Sequence, residues 1–155
     1  HFLLKRSQQY ADYKIGDITK SCVVSDYYLE KDKLFAETTL NKYELNLYKK
    51  IYGGLKLKSP KPDLIIYLQA PLSILLERIK SRAIDYEQEI SKDYVNNLIN
   101  AYTNHFHTYK KSSLLIINTT NVDINNSHDY KVLTDEISKD IKGKKYFNPT
   151  TSDNW

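Results

Sequence analysis

Two uninterrupted apolar runs, DLIIYLQ at 63–69 and SLLIIN at 113–118, constrain the fold of this chain more than any other feature. A strand with one wet face alternates apolar and polar residues, whereas a strand buried on both faces reads as a continuous β-branched and aliphatic run. A shorter run, SCVVSD at 21–26, reads as a third buried strand. Helical periodicity fills the intervals. KYELNLYKKIY (42–52) places Tyr43, Leu47 and Ile51 on one face, with Gly53 and Gly54 as the expected stop. PLSILLERIKSR (71–82) has Pro71 near its first turn and Leu72, Leu75, Leu76 and Ile79 at i, i+3, i+4 and i+7. Residues 91–110 start from Ser91 as a cap and turn Tyr94, Leu98, Tyr102 and Phe106 inward, and a last helix is expected from Asp129. Strands alternating with helices predict an α/β fold around a parallel sheet. Ligands of such sheets bind beyond the C-terminal strand ends, so the loops 25–33, 69–71 and 118–128 are expected to converge.

The 155 residues support one domain with a sizeable core, expected to occupy 1–142, followed by a tail at 143–155 of turn and disorder composition. Tyr146, Phe147 and Trp155 could dock that tail on a neighbour. The net charge of +4 is too small a surplus to argue for nucleic acid or an anionic membrane. No apolar run approaches the roughly 18 residues of a membrane span. A single cysteine, Cys22, excludes an intrachain disulfide and points to a reducing cytoplasm. The chain contains no Met and opens inside an amphipathic helical pattern through Phe2, Leu3, Arg6 and Tyr10, which predicts the C-terminal portion of something longer.

Three places could carry chemistry. Asp26 and Asp32 lie at or just past the C-terminal edge of the expected first strand, where a carboxylate can hold a metal indirectly, accept from a base N–H, or cap a helix. Arg6, in the opening helix, is either a solvated cation or a ligand contact. ERIKSRAIDYEQEI (77–90) spaces Arg78 and Arg82 four apart, as a solvated helix end or as two forks closing on a phosphate. No histidine metal site is expected, because His105 and His107 stand two apart and point to different helix faces. None of the four glycines falls in a G-x-x-x-x-G-K-[ST] phosphate cradle.

Taken in order, FLLKRSQQ, VVSDYYLEKDKLFAETTL, YELNLYKKIY, PKPDLIIYLQAPLSILLERIKSR, DYEQEI and AYTNHF resemble the bacterial deoxynucleoside kinases, closest to those of Bacteroidetes-type bacteria, over roughly residues 1–140. The resemblance implies the three-layer P-loop kinase fold shared with thymidylate kinases, lacking here its first P-loop strand. It implies transfer of the γ-phosphoryl of ATP, with Mg²⁺, to the 5′-hydroxyl of a deoxynucleoside, in a cytoplasmic homodimer. Arg6 and Asp32 then match the pair that reads the base, favouring a purine, and Glu87 matches the acid accepting the sugar 3′-hydroxyl. Asp26 matches the acid near the 5′-hydroxyl and metal, with Tyr27 in place of the usual arginine. Arg78 and Arg82 match lid arginines on the transferring phosphates. The usual R-G-R of the lid reads Arg82, Ala83, Ile84 here. The P-loop would lie upstream of His1, so 1–142 would be the C-terminal portion of the kinase domain and inactive by itself. The alternative is a degenerate, non-catalytic module that binds nucleoside or dimerises. Either form could be fused behind a pterin pyrophosphokinase of folate synthesis. Thymidylate kinase is a third reading, disfavoured by Arg6, Asp32 and DYEQ.

Overall fold

The computed structural model describes residues 22–26, 28–55, 61–87 and 89–149. The chain divides into two compact units, His1–Pro60 and Lys61–Trp155. The opening helix expected through Phe2, Leu3, Arg6 and Tyr10 lies outside the described residues.

In the first unit, helices α1 (Leu29–Thr39) and α2 (Lys42–Gly54) are joined by Leu40 and Asn41. Asn41 starts α2. Its side-chain oxygen accepts from the amides of Tyr43 (2.9 Å) and Glu44 (3.1 Å), and the Glu44 carboxylate accepts from the Asn41 amide (3.0 Å). This reciprocal box satisfies amides that a first helical turn leaves without an intrahelical partner. The expected stop at Gly53 and Gly54 is not used. Both glycines belong to the last turn and Leu55 caps it, because neither adopts the left-handed backbone that ends a helix. Tyr43, Leu47 and Ile51 share a face as expected, and that face is uncovered, at 87%, 60% and 45% exposure.

The strand expected at 21–26 does not form over residues 22–26. They are exposed and join no ladder among the described residues. Two valines favour an extended chain, but a strand exists only where a neighbour takes its backbone hydrogen bonds.

The second unit is β1 (Leu64–Gln69), α3 (Leu72–Ser81), a short 3₁₀ turn (Asp85–Glu87), α4 (Lys92–Thr108), β2 (Ser113–Asn118), α5 (Ser127–Ile137) and β3 (Lys144–Phe147). The strands are parallel, in the order β1-β2-β3. β2 holds the centre, with Leu114, Leu115, Ile116 and Ile117 all buried, which is why its sequence shows no alternation. Each such side chain removed from water contributes about 1.5–3 kcal/mol before the entropy of ordering is subtracted. Leu115 and Ile117 pack with Ile141, Leu133 of α5 and Phe147 of β3. Tyr67 shares the register row of Ile116, on the other face, and stacks on Phe106 of α4 at 4.7 Å. Alternation along β2 therefore sets α4 and α5 on opposite faces of the sheet. Burial raises the hydroxyl pKa of Tyr94 and Tyr102, the inward tyrosines of α4.

β3 falls in the segment whose composition predicts turn and disorder. With four residues on an edge, it reads two lysines followed by two aromatics instead of showing an apolar run. Gly143, at φ +68, swings the chain into it, and the Gly143 carbonyl accepts from the Leu114 amide at 2.8 Å. Glu136, at the end of α5, pairs with Lys139 (2.6 Å) and with Lys145 of β3 (2.5 Å). α5 begins before Asp129: Asn126 caps it, and the Asp129 carboxylate instead accepts from the Asp123 amide at 3.0 Å. Among the described residues, no helix is long and apolar enough to cross a membrane. Gln69 and Asn118 end β1 and β2 in register, so the loops after them, 69–71 and 118–128, do meet at one edge.

Candidate functional site

The C-terminal edge of β1 and β2 carries the first cluster. Thr119 follows β2 directly and donates both its amide (2.7 Å) and its hydroxyl (2.9 Å) to the Gln69 carbonyl at the end of β1. α3 begins two residues beyond β1, capped by Pro71, whose fixed φ suits the entry to a helix. Its last turn brings Arg78 back to the same edge. There Arg78 Nη1 donates to Thr119 Oγ1 at 3.0 Å and Nη2 donates to the Thr119 carbonyl at 2.5 Å.

Arg82 sits at the end of α3, where its amide donates to the Arg78 carbonyl at 3.1 Å. The next residue, Ala83, takes φ +50, the left-handed conformation that ends the helix and directs the chain into the 3₁₀ turn. That turn presents Glu87. Arg82 Nε (3.0 Å) and Nη2 (2.7 Å) both reach the same oxygen, Oε2, of this carboxylate. The Glu87 side chain is 13% exposed and that of Arg82 59%, so the acid is shielded and the cation faces water. Both arginines are exposed at the helix end, and each is also held by protein acceptors. They are held differently: Arg78 on the sheet edge, Arg82 on its own loop.

In the first unit, Asp32 lies on α1 and its Oδ2 accepts from the Tyr48 hydroxyl of α2 at 2.8 Å. Asp26 is exposed and does not cap α1; Tyr28 occupies that position and no side chain caps the helix. Arg6 lies outside the described residues. Among the described residues no three His, Cys, Asp or Glu side chains are grouped to hold a metal. His105 lies against the rings of Phe106 and Tyr109.

The arrangement brings Arg78 to the strand ends and pairs Arg82 with Glu87. Sequence reasoning missed two partners, Thr119 and Tyr48. Thr119 lies in a loop already expected at the ligand edge, but nothing in NTTN distinguishes it from its neighbour Thr120. Tyr48 lies sixteen residues from Asp32, a separation that no local pattern reads.

A family model described as deoxynucleoside kinase matches residues 1–142. A deoxyguanosine kinase of Bacillus subtilis (strain 168) is 40% identical over 102 residues, covering 65% of this chain and 49% of the relative. A deoxyadenosine kinase of Dictyostelium discoideum is 37% identical over 84 residues, covering 51% of this chain and 34% of that protein. A deoxyadenosine kinase of Lactobacillus acidophilus (strain ATCC 700396 / NCK56 / N2 / NCFM) is 28% identical over 134 residues, covering 77% and 62%. The matched segment spans less than two thirds of each of these relatives.

Proposed function

This chain belongs to the deoxynucleoside kinase family, and on that footing we propose that the intact protein transfers the γ-phosphoryl of ATP to the 5′-hydroxyl of a purine deoxynucleoside. The observation that carries the reading is Arg78 held at the C-terminal strand ends and, one helical turn on, Arg82 paired with a shielded Glu87. Phosphoryl transfer needs little covalent chemistry from a protein and much positioning and charge stabilisation, which planar arginine forks supply. Arg78 and Arg82 serve the transferring phosphates. Arg82 occupies only one oxygen of Glu87, and the other can accept from the sugar 3′-hydroxyl. Asp32, oriented by Tyr48, reads the base together with Arg6. The relatives named for deoxyguanosine and deoxyadenosine support a purine.

Magnesium usually binds through one or two carboxylates and the substrate's own phosphates, so a three-ligand protein cage is not required. Asp26 is the carboxylate assigned to that side, near the 5′-hydroxyl. The uncovered stripe of Tyr43, Leu47 and Ile51 supports a homodimer contact through α2. The lone cysteine supports a cytoplasmic setting.

The test offers the intact protein deoxyadenosine, deoxyguanosine, deoxycytidine and thymidine with ATP labelled on its γ-phosphate. A labelled purine deoxynucleoside monophosphate is the expected product. No labelled monophosphate from any of the four sinks the proposal. Calorimetric binding of a deoxynucleoside without transfer would point instead to a degenerate module, the reading that Ala83 and Ile84 in the lid favour.

A further inference from the structure

We infer that Thr119 is a positioning residue that aims Arg78 at the phosphate site. The inference rests on the kinase reading of the same edge and adds the group that orients its first arginine. The direction of each hydrogen bond follows from the atoms. A threonine hydroxyl has one proton, and the Gln69 carbonyl, at 2.9 Å, can only accept it. Toward Arg78 Nη1, at 3.0 Å, Thr119 Oγ1 therefore presents a lone pair. The Thr119 carbonyl takes Nη2, so one residue holds both terminal nitrogens of the guanidinium.

Thr119 is itself fixed to the sheet. Its amide donates to the Gln69 carbonyl at 2.7 Å, one residue beyond the last register pair of β1 and β2. An exposed arginine would otherwise sample many rotamers. Here its plane is referenced to two strand ends instead of to a loop. Two of its five N–H groups are used, and three remain for a ligand. Arg82 contrasts with it, because its acceptor is a carboxylate on the adjoining 3₁₀ turn. Arg78 is thus set in advance by the sheet, while Arg82 is held only by the turn that adjoins its helix. Charge stabilisation is most effective when the donor needs no reorganisation at the moment of reaction.

The test compares T119V, T119A and T119S in the intact protein, each alone and with R78Q. T119V and T119A are expected to lower kcat about tenfold, the scale of one hydrogen bond to a charged group. The KM for the deoxynucleoside should stay within about twofold, and T119S should restore kcat, since it keeps the hydroxyl. In the R78Q background T119V should cost nothing further, because the residue it serves is gone. An undiminished loss in that background, or a T119S as slow as T119V, overturns the inference. Isotope-labelled guanidinium nitrogen spectra give a readout independent of activity. Arg78 should show slowed nitrogen rotation in the wild type and in T119S, and faster rotation in T119A, which keeps only the backbone carbonyl contact. A wild-type Arg78 as mobile as a solvated arginine overturns the anchor by itself. A protein that phosphorylates no deoxynucleoside overturns the kinase reading, and the spectra then decide the anchor separately.

Discussion

Glu136 gives a prediction whose sign runs against intuition: removing the acid should cost less than removing both of its lysines. Its side chain is 3% exposed, with Lys139 Nζ on one oxygen and Lys145 Nζ on the other. The hydrogen bond from Lys139, then that from Lys145, holds its carboxyl below the ordinary range. Both lysines are partly wet, at 59% and 43%. In E136Q they swing into water, and the loss should be near the upper limit of an exposed pair, about 1 kcal/mol. In K139M with K145M the carboxylate stays covered and unpaired. Breaking a fully buried pair costs about 3–5 kcal/mol. Here both partners are partly exposed, so about 2 kcal/mol is the better figure, a fall in Tm of roughly 4–8 °C for a domain of this size. Urea denaturation followed by circular dichroism at pH 7 measures the ranking. The pH dependence follows from the depressed carboxyl. Its contribution is fully present above the unfolded value, about 4.3, and is lost as pH falls through the lower folded value. The gap between wild type and E136Q should therefore close in acid. An E136Q less stable than the double lysine variant, or a gap unchanged between neutral pH and strong acid, refutes the reasoning.

Other perturbations test other features. A83G should stabilise by about 0.5–1 kcal/mol, because φ +50 is strained for alanine while glycine loses more chain entropy on folding; a destabilised A83G in urea contradicts the left-handed assignment. N41A removes the acceptor of the α2 capping box and should cost about 1 kcal/mol, read as a lower urea midpoint with unchanged slope. On the proposed kinase reading, R82Q should reduce kcat by at least a hundredfold, on the order expected for an arginine at a phosphoryl-transfer site, and an R82Q with wild-type turnover removes Arg82 from that reading. On the same reading, Y48F should raise the purine KM several-fold and leave kcat nearly unchanged, since it frees Asp32 from its hydroxyl partner without touching Arg78 or Arg82.

What the sequence disclosed follows from where its information is local. β2 is legible because burial on both faces writes a continuous apolar run; β1 shows the same run although one of its faces, through Ile66 and Leu68, is exposed. α4 is legible because Ser91 both caps it and precedes a 3.6-residue stripe; the hydroxyl does accept from the Tyr94 amide, at 3.1 Å. Residues 21–26 look like a strand by the same rule, but pairing is a property of two segments and the second is not written in the first. β3 fails in the opposite sense. KKYF has too little apolar content to announce itself, and what recruits it is the free edge of β2 and the acid of Glu136. The site divides in the same way. Only three of the 23 basic residues are arginine, and the motif order singled out all three. The acceptor that holds Arg78 lies 41 residues away. Local patterning carries no trace of it.

The single oxygen that Arg82 shares with Glu87 has a consequence for how two ligands would sense each other. On the proposed assignment, the sugar and the donor phosphates draw on opposite members of one ion pair. A sugar hydroxyl donating to Glu87 takes up part of its negative charge and loosens its hold on Arg82. The freed guanidinium then favours the donor. Linkage requires the reverse with equal strength, so the donor must tighten the sugar by the same factor. The pair is then a thermodynamic coupling element: each substrate lowers the cost of admitting the other.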